Sequence, residues 1–349
     1  MYLFGIETPL VIAGPCSAES EAQTIATAKA LAALGISVFR AGVWKPRTKP
    51  GGFEGRGAEA LEWLRRVKET TGMKVITEVA NASHLRLAAE AGLDGVWIGA
   101  RTSANPFAVQ EIADAIGALP ADRRKDLTVL VKNPVNPDLE LWVGAIERVR
   151  GSGVGRIAAI HRGFSSYGKH LYRNPPRWAI PIELGRRFPD LPIIFDPSHV
   201  AGRANLVERL ALQSMGMNFA GLMIEAHYNP AEALSDAAQQ LTPEALGNLL
   251  HKLDRRRDAP TTDMLEALRL KIDSLDDQLL DILARRMEVS REIGEYKRVH
   301  RLPVVQFPRY KALMEQRVAD ASALSLPPEF VRSILAAIHE ESVRQQLDP

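Results

Sequence analysis

From residue 10 to about 225 the chain alternates short, continuous apolar runs with stretches of helical spacing, and no other feature restricts its fold as much. The runs lie at 10–13, 38–40, 75–78, 95–98, 129–132, 157–160, 193–196 and 222–225, and each reads as a strand. Between most of them, stretches such as 22–34, 84–91, 108–116 and 206–213 carry apolar residues at helical spacing. Strands that are apolar throughout, rather than at every second position, are buried on both faces, which requires a parallel sheet covered by helices. Eight such units in about 250 residues predict an α/β fold closed into a (β/α)8 TIM barrel rather than an open sheet.

After Leu253 the character changes. The segment DRRRDAP at 254–260 is a charged linker ending in proline, and no strand candidate follows it. We therefore expect a barrel over 1–252, a linker over 253–262 and an all-α three-helix domain over 263–349. Thr262 or Asp263 caps a first helix running to about Val299. Along it Leu265, Leu268, Ile272, Leu275, Leu279, Ile282, Val289, Ile293 and Tyr296 recur in steps of three and four, with Arg286 filling the gap. That is a heptad seam. Shorter helices are expected over 309–319 and 328–346, between prolines at 303, 308, 327 and 328. Three helices of this length cannot bury a core alone, so the domain is expected to pair into an intertwined dimer.

The balance of 44 basic against 42 acidic residues argues against a nucleic-acid surface. No apolar run nears the roughly 20 residues that span a bilayer, and the first residues lack a signal-peptide pattern. The expectation is a cytoplasmic enzyme with neither nucleic acid nor membrane as partner. The single cysteine, Cys16, excludes an internal disulfide.

In a closed barrel the reactive groups gather where strands end. Those positions carry Cys16, Arg40, Glu78, Gly99-Ala100-Arg101-Thr102, Lys132, His161-Arg162-Gly163, Asp196-Pro197-Ser198-His199 and Glu225, with Asp236 in the last loop. Beyond Arg40, the loop adds Lys45, Arg47 and Lys49, with prolines at 46 and 50 keeping it from becoming a helix. The glycine-rich GGFEGRG that follows is expected to be a mobile flap over the site. Arg40, Lys45, Arg47, Arg101, Lys132 and Arg162 suit two phosphates and a carboxylate. Cys16, His199, Glu225 and Asp236 offer a thiolate, an imidazole and two carboxylates, which suits Mn2+, Fe2+, Co2+ or Zn2+ without choosing among them.

GPCS at 14–17, KPRT at 45–48, IGART at 98–102, VKNP at 131–134, IHRG at 160–163 and DPSH at 196–199 together resemble 3-deoxy-D-arabino-heptulosonate 7-phosphate (DAHP) synthase. The likeness is to the type I β-like branch, related to 3-deoxy-octulosonate 8-phosphate synthase, and KPRT separates the two. It implies condensation of phosphoenolpyruvate with erythrose 4-phosphate and one divalent metal ion per barrel. Arg101 and Arg162 would then hold the phosphate of phosphoenolpyruvate. Arg40, Lys45 and Lys132 would hold its carboxylate region, with Glu78, Gly99 and Ala100 lining that side. Pro46, Arg47, Thr48 and Asp236 would take erythrose 4-phosphate, and Cys16, His199, Glu225 and Asp236 the metal. A polarised aldehyde is what the weakly nucleophilic enol carbon needs, and Lys132 is one candidate for moving protons. A Schiff-base aldolase using Lys132, and arabinose 5-phosphate as acceptor, are the rivals.

Residues 262–348 resemble the all-helical AroQ-type chorismate mutase, through ALRLKIDSLDDQLLDILARR, IGEYK and EESVRQQ. Arg269, Arg286, Lys297, Gln306, Arg309, Ser342 and Gln346 match its substrate-binding positions, with Arg286, Lys297 and Gln346 the catalytic ones. Gln306 and Tyr310 depart from the family, which commonly carries acids there. Arg269 lies about 25 Å from Arg286 along one helix, so only an antiparallel partner brings them together. The chain begins almost at the first strand, so we expect no regulatory domain ahead of the barrel. The mutase domain is then expected to act as sensor, with prephenate, its product, or chorismate as inhibitor. A non-catalytic dimerisation and sensing module is the alternative.

Overall fold

In a computed structural model of the protein, the residues described are 2–45, 51–167, 170–217, 219–257 and 263–347. The chain forms two compact units, Met1–Asp258 and Ala259–Pro349. The first opens with a hairpin of two short antiparallel strands, β1 (Tyr2–Leu3) and β2 (Ile6–Glu7). Eight parallel strands follow: β3 (Leu10–Gly14), β4 (Val38–Arg40), β5 (Lys74–Val79), β6 (Gly95–Ile98), β7 (Thr128–Lys132), β8 (Arg156–His161), β9 (Ile193–Phe195) and β10 (Gly221–Glu225). They close in sequence order, with β10 beside β3, so the eight apolar runs are the eight staves of the expected barrel.

Alternate residues of each strand face two cores. Ile12, Val38, Ile76, Trp97, Leu130, Ile160, Ile194 and Met223 fill the barrel interior. Ala13, Phe39, Val75, Val96, Val129, Ala159 and Phe195 pack outward against the helices. The interior is thus solid, and ligands are left only its rim. The hairpin closes the other end. Leu3 and Phe4 are buried in the interior cluster, and the turn residues Phe4 and Gly5 both have positive φ, as a two-residue hairpin loop requires.

Two expectations shift. The seventh strand stops at Phe195, because Asp196 leaves the sheet to cap the short helix Pro197–Ala201 by accepting from His199 N at 3.0 Å. Part of the expected mobile flap is pinned: Lys45 N donates to Glu54 O (2.8 Å), Gly57 N to Val43 O (2.9 Å) and Arg56 Nε to Glu19 O (3.0 Å).

The second unit has helices Asp263–Val299, Phe307–Ala323 and Pro328–Leu347, the last two longer than their spacing suggested. Among the described residues its own core is small, with Val318, Ala321 and Val331 buried and Leu335 packed against them. Along the seam Leu268, Ile272, Leu275, Leu279, Ile282, Val289, Ile293 and Tyr296 are all exposed. No helix among the described residues is long and apolar enough to cross a membrane.

Register sets the rim. Gly14 pairs with Glu225, and with φ +156° a Cβ there would lie 1.9 Å from Arg40 O. We expect Gly14→Ala to cost at least about 3 kcal/mol, since backbone rather than a flexible side chain must move. Urea unfolding of the purified variant measures this, and a loss under about 1 kcal/mol would contradict the packing described.

Candidate active sites

The barrel rim assembles two buried ion pairs. Lys132 Nζ lies 2.9 Å from Asp196 Oδ2, and Arg40 Nη1 lies 3.2 Å from Glu225 Oε1, with all four side chains almost wholly buried. Asp196 works twice, because His199 Nδ1 also lies 2.8 Å from Oδ2. Burial alone would raise the Asp196 carboxyl, but His199 and Lys132 more than offset it and hold it well below the usual range. Burial lowers the His199 pKa, aided by Lys132, so this imidazole is neutral near pH 7 with Nε2 turned toward Glu225 Oε1 at 3.7 Å.

Next to these pairs lies a ligand set. Donor atoms of Cys16, Glu225 and Asp236 all fall within 4.8 Å of one another. His199 stands outside that triangle, against Glu225. Glu225 Oε2 accepts from Gln239 Nε2 (2.6 Å), whereas Oε1 is buried without a hydrogen bond among the described residues. Asp236 adopts a left-handed backbone (φ 46°), and Arg173 Nη1 reaches its Oδ1 at 3.2 Å. Burial, then Glu225, push the Cys16 thiol up to about 11. A thiol so placed stays protonated near neutral pH unless a metal cation binding the sulfur displaces the proton, and a neutral imidazole, a thiolate and two carboxylates would fit a divalent transition metal.

The cavity beside this set measures about 380 Å³ and is lined by Lys45, Glu78, Gly99, Ala100, Arg101, Lys132, Arg162, Arg173, Asn174, His199 and Asp236, among others. Burial lowers Arg162 to about 10, so it stays cationic near neutral pH. Glu78 Oε2 accepts from Trp97 Nε1 at 3.2 Å, and a Cβ on residue 99 would meet Glu78 Oε1 at 2.1 Å, so this carboxylate needs Gly99. Arg40 stacks over the same indole at 4.8 Å. Trp44 anchors the base of the KPRT loop by stacking on His84, with ring centroids 3.9 Å apart. Pro46, Arg47 and Thr48 lie outside the described residues.

Not every polar group at a strand end belongs to the site. His161 faces away, among Trp142, Phe164, Trp178, Phe195 and Phe219, and burial lowers it to about 3. It is a neutral packing residue. Conversely, Arg173, Asn174, Gln239 and the pairing role of Asp196 carry no signal in spacing, because loops bring them in.

In the helical unit, Arg286 Nη1 donates to Ser342 Oγ, and Lys297 Nζ donates to Gln346 Oε1 (3.0 Å) and Val304 O (2.7 Å). The approach needs Gly294, where a Cβ would sit 2.8 Å from the Gln346 Cα. Arg269, Gln306 and Arg309 are exposed.

We expect Asp196→Asn to destabilise the protein by about 3 kcal/mol or more, since it strands the buried Lys132 charge. Glu208→Gln, which breaks the exposed pair with Lys252, should cost under about 1 kcal/mol. Equal losses in denaturant unfolding would refute the role given to Asp196.

The comparisons with known proteins agree over both units. The family model of the DAHP synthetase I family matches residues 2–259, and that of chorismate mutase type II matches residues 268–347. Phospho-2-dehydro-3-deoxyheptonate aldolase of Thermotoga maritima is 34% identical over 249 residues, covering 71% of this chain and 70% of that protein. A crystal structure of that aldolase from the same organism superimposes with a TM-score of 0.63 at 32% identity, covering 71% of this chain and 69% of the other. The T-protein of Enterobacter agglomerans is 38% identical over 84 residues, which is 24% of this chain and 22% of that protein. The chain belongs to the DAHP synthetase I family and carries a chorismate mutase type II domain behind its barrel, which makes it a bifunctional enzyme of the shikimate pathway.

Proposed function

We propose that the barrel condenses phosphoenolpyruvate with erythrose 4-phosphate, releasing phosphate, with one divalent ion per barrel held by Cys16, His199, Glu225 and Asp236. The observation that carries this reading is the Cys16–Glu225–Asp236 triangle at the wall of a cavity lined by Lys45, Arg101, Lys132 and Arg162. Mn2+, Fe2+, Co2+ and Zn2+ all suit the donor set, and such an ion supplies Lewis-acid polarisation of the aldehyde. The chain's own groups do the rest. Arg101 and Arg162 clamp the phosphate of phosphoenolpyruvate, while Arg40, Lys45 and Lys132 face its carboxylate. Glu78, Gly99 and Ala100 shape that wall, and the tie from Trp97 fixes the carboxylate of Glu78. Lys132, oriented by Asp196, stands ready to hold or pass a proton at the reacting carbons. Pro46, Arg47, Thr48 and Asp236 receive the sugar phosphate.

In the helical domain Arg286, Lys297, Ser342 and Gln346 form the core of a chorismate site. Its cations are held by neutral oxygens, leaving their charge available to a dicarboxylate. Lys297 and Gln346 stabilise charge on the ether oxygen as chorismate rearranges to prephenate. The exposed seam supports pairing with a second copy, which supplies its Arg269 to complete the site alongside Gln306 and Arg309. As a cytoplasmic homodimer, the enzyme would sense prephenate or chorismate through this domain and slow the barrel.

Phosphoenolpyruvate loss with erythrose 4-phosphate should vanish after chelation and return with Mn2+. Activity indifferent to chelation would overturn the metal reading, and faster turnover with arabinose 5-phosphate would overturn the acceptor. Arg286→Ala should cut chorismate loss more than about 100-fold while condensation persists. If wild-type protein leaves chorismate untouched, the domain is a sensing module instead. Saturating prephenate should slow condensation, and an unchanged rate would reject feedback through this domain.

A further inference from the structure

The third helix of the mutase domain presents one residue that neither spacing nor family resemblance assigns. His339 lies three residues before Ser342 and seven before Gln346, so all three share a stripe of that helix. Ser342 and Gln346 meet Arg286 and Lys297 of the first helix. From the second helix, Tyr310 stacks on the imidazole, with ring centroids 4.1 Å apart and planes at 28°. His339 is half-buried, and among the described residues the charges acting on it are those of Arg286 and Lys297, both positive. Tyr310 is the titratable group stacked against it from the second helix.

We propose that His339 is a ligand-facing residue of the chorismate site that takes up a proton as a dicarboxylate binds. The inference rests on the reading of Arg286 and Lys297 as substrate-binding cations. In the free site, burial and then these two cations lower the histidine, keeping it neutral around pH 7. A dianion seated between them would cancel their field and add its own negative potential at the ring. The same imidazole then favours its protonated form, and the added N–H gives the ligand another donor. Tyr310 holds the ring in place by stacking. The sign follows from linkage: the complex binds more protons than the free protein, so binding tightens as pH falls from 8 to 6.

Calorimetric titration of the full-length protein with prephenate, in two buffers of different ionisation enthalpy at pH 6.5, counts protons directly. We expect uptake above about 0.3 proton per site, with binding about threefold or more tighter at pH 6 than at pH 8. His339→Phe keeps an aromatic ring against Tyr310 but cannot titrate, and should lose both the proton uptake and the tightening between pH 8 and pH 6. Tyr310→Phe should keep the uptake. No uptake by the wild type, or uptake retained in His339→Phe, would overturn the proposal. Absence of any prephenate binding would instead remove the reading of the cation pair on which it stands.

Discussion

The barrel depends on four charges buried at one end of it. Arg40, Lys132, Asp196 and Glu225 sit where water is nearly excluded, and an unpaired ion there would cost several kcal/mol. Each is therefore matched, and matching demands registration. Arg40 and Lys132 end β4 and β7, Glu225 ends β10, and Asp196 lies one residue beyond β9, so the eight strands must finish flush for the pairs to form. Gly14 allows β3 and β4 the close approach this needs. Among the described residues, the Nε of Arg40 makes no hydrogen bond, and Glu225 Oε1 is held by the ion pair with Arg40 without a hydrogen bond of its own. A protein that tolerates such groups has arranged them for a ligand rather than for stability.

The two units handle cations in opposite ways. In the barrel Lys132 and Arg40 are neutralised by carboxylates, and Lys45, Arg101 and Arg162 line the cavity wall beside them. This division suits a ligand that carries both a phosphate and a carboxylate. In the helical domain Arg286 and Lys297 are oriented by a hydroxyl, an amide oxygen and a backbone carbonyl. Neutral acceptors fix geometry without spending charge, which favours tight binding of a dianion. The seam follows the same economy: its leucines and isoleucines have little to pack against within one chain, and a second copy would bury them.

The sequence carried the barrel itself, its strand count and order, the helical second unit and most of the side chains that converge. Period and length of apolar runs are local properties, and each strand end exposes its next residue to the same rim, so Cys16, Arg40, Glu78, Lys132, Arg162 and Glu225 could be gathered without coordinates. The hairpin over Tyr2–Glu7 was not legible, because two-residue strands have no period to recognise. Nor were Arg173, Asn174 and Gln239, which loops bring to the site, or the fate of His161, whose strand-end position hides a side chain turned into an aromatic cluster. Direction of a side chain at a rim is set by its neighbours' volumes. Tertiary structure alone decided that Asp196 ties Lys132 to His199, that Glu78 hangs from Trp97, and that His339 meets Tyr310 beside the mutase cations. Each of these joins residues 19 or more positions apart or depends on which way a ring turns, and both follow from packing in three dimensions, which no run of neighbouring residues encodes.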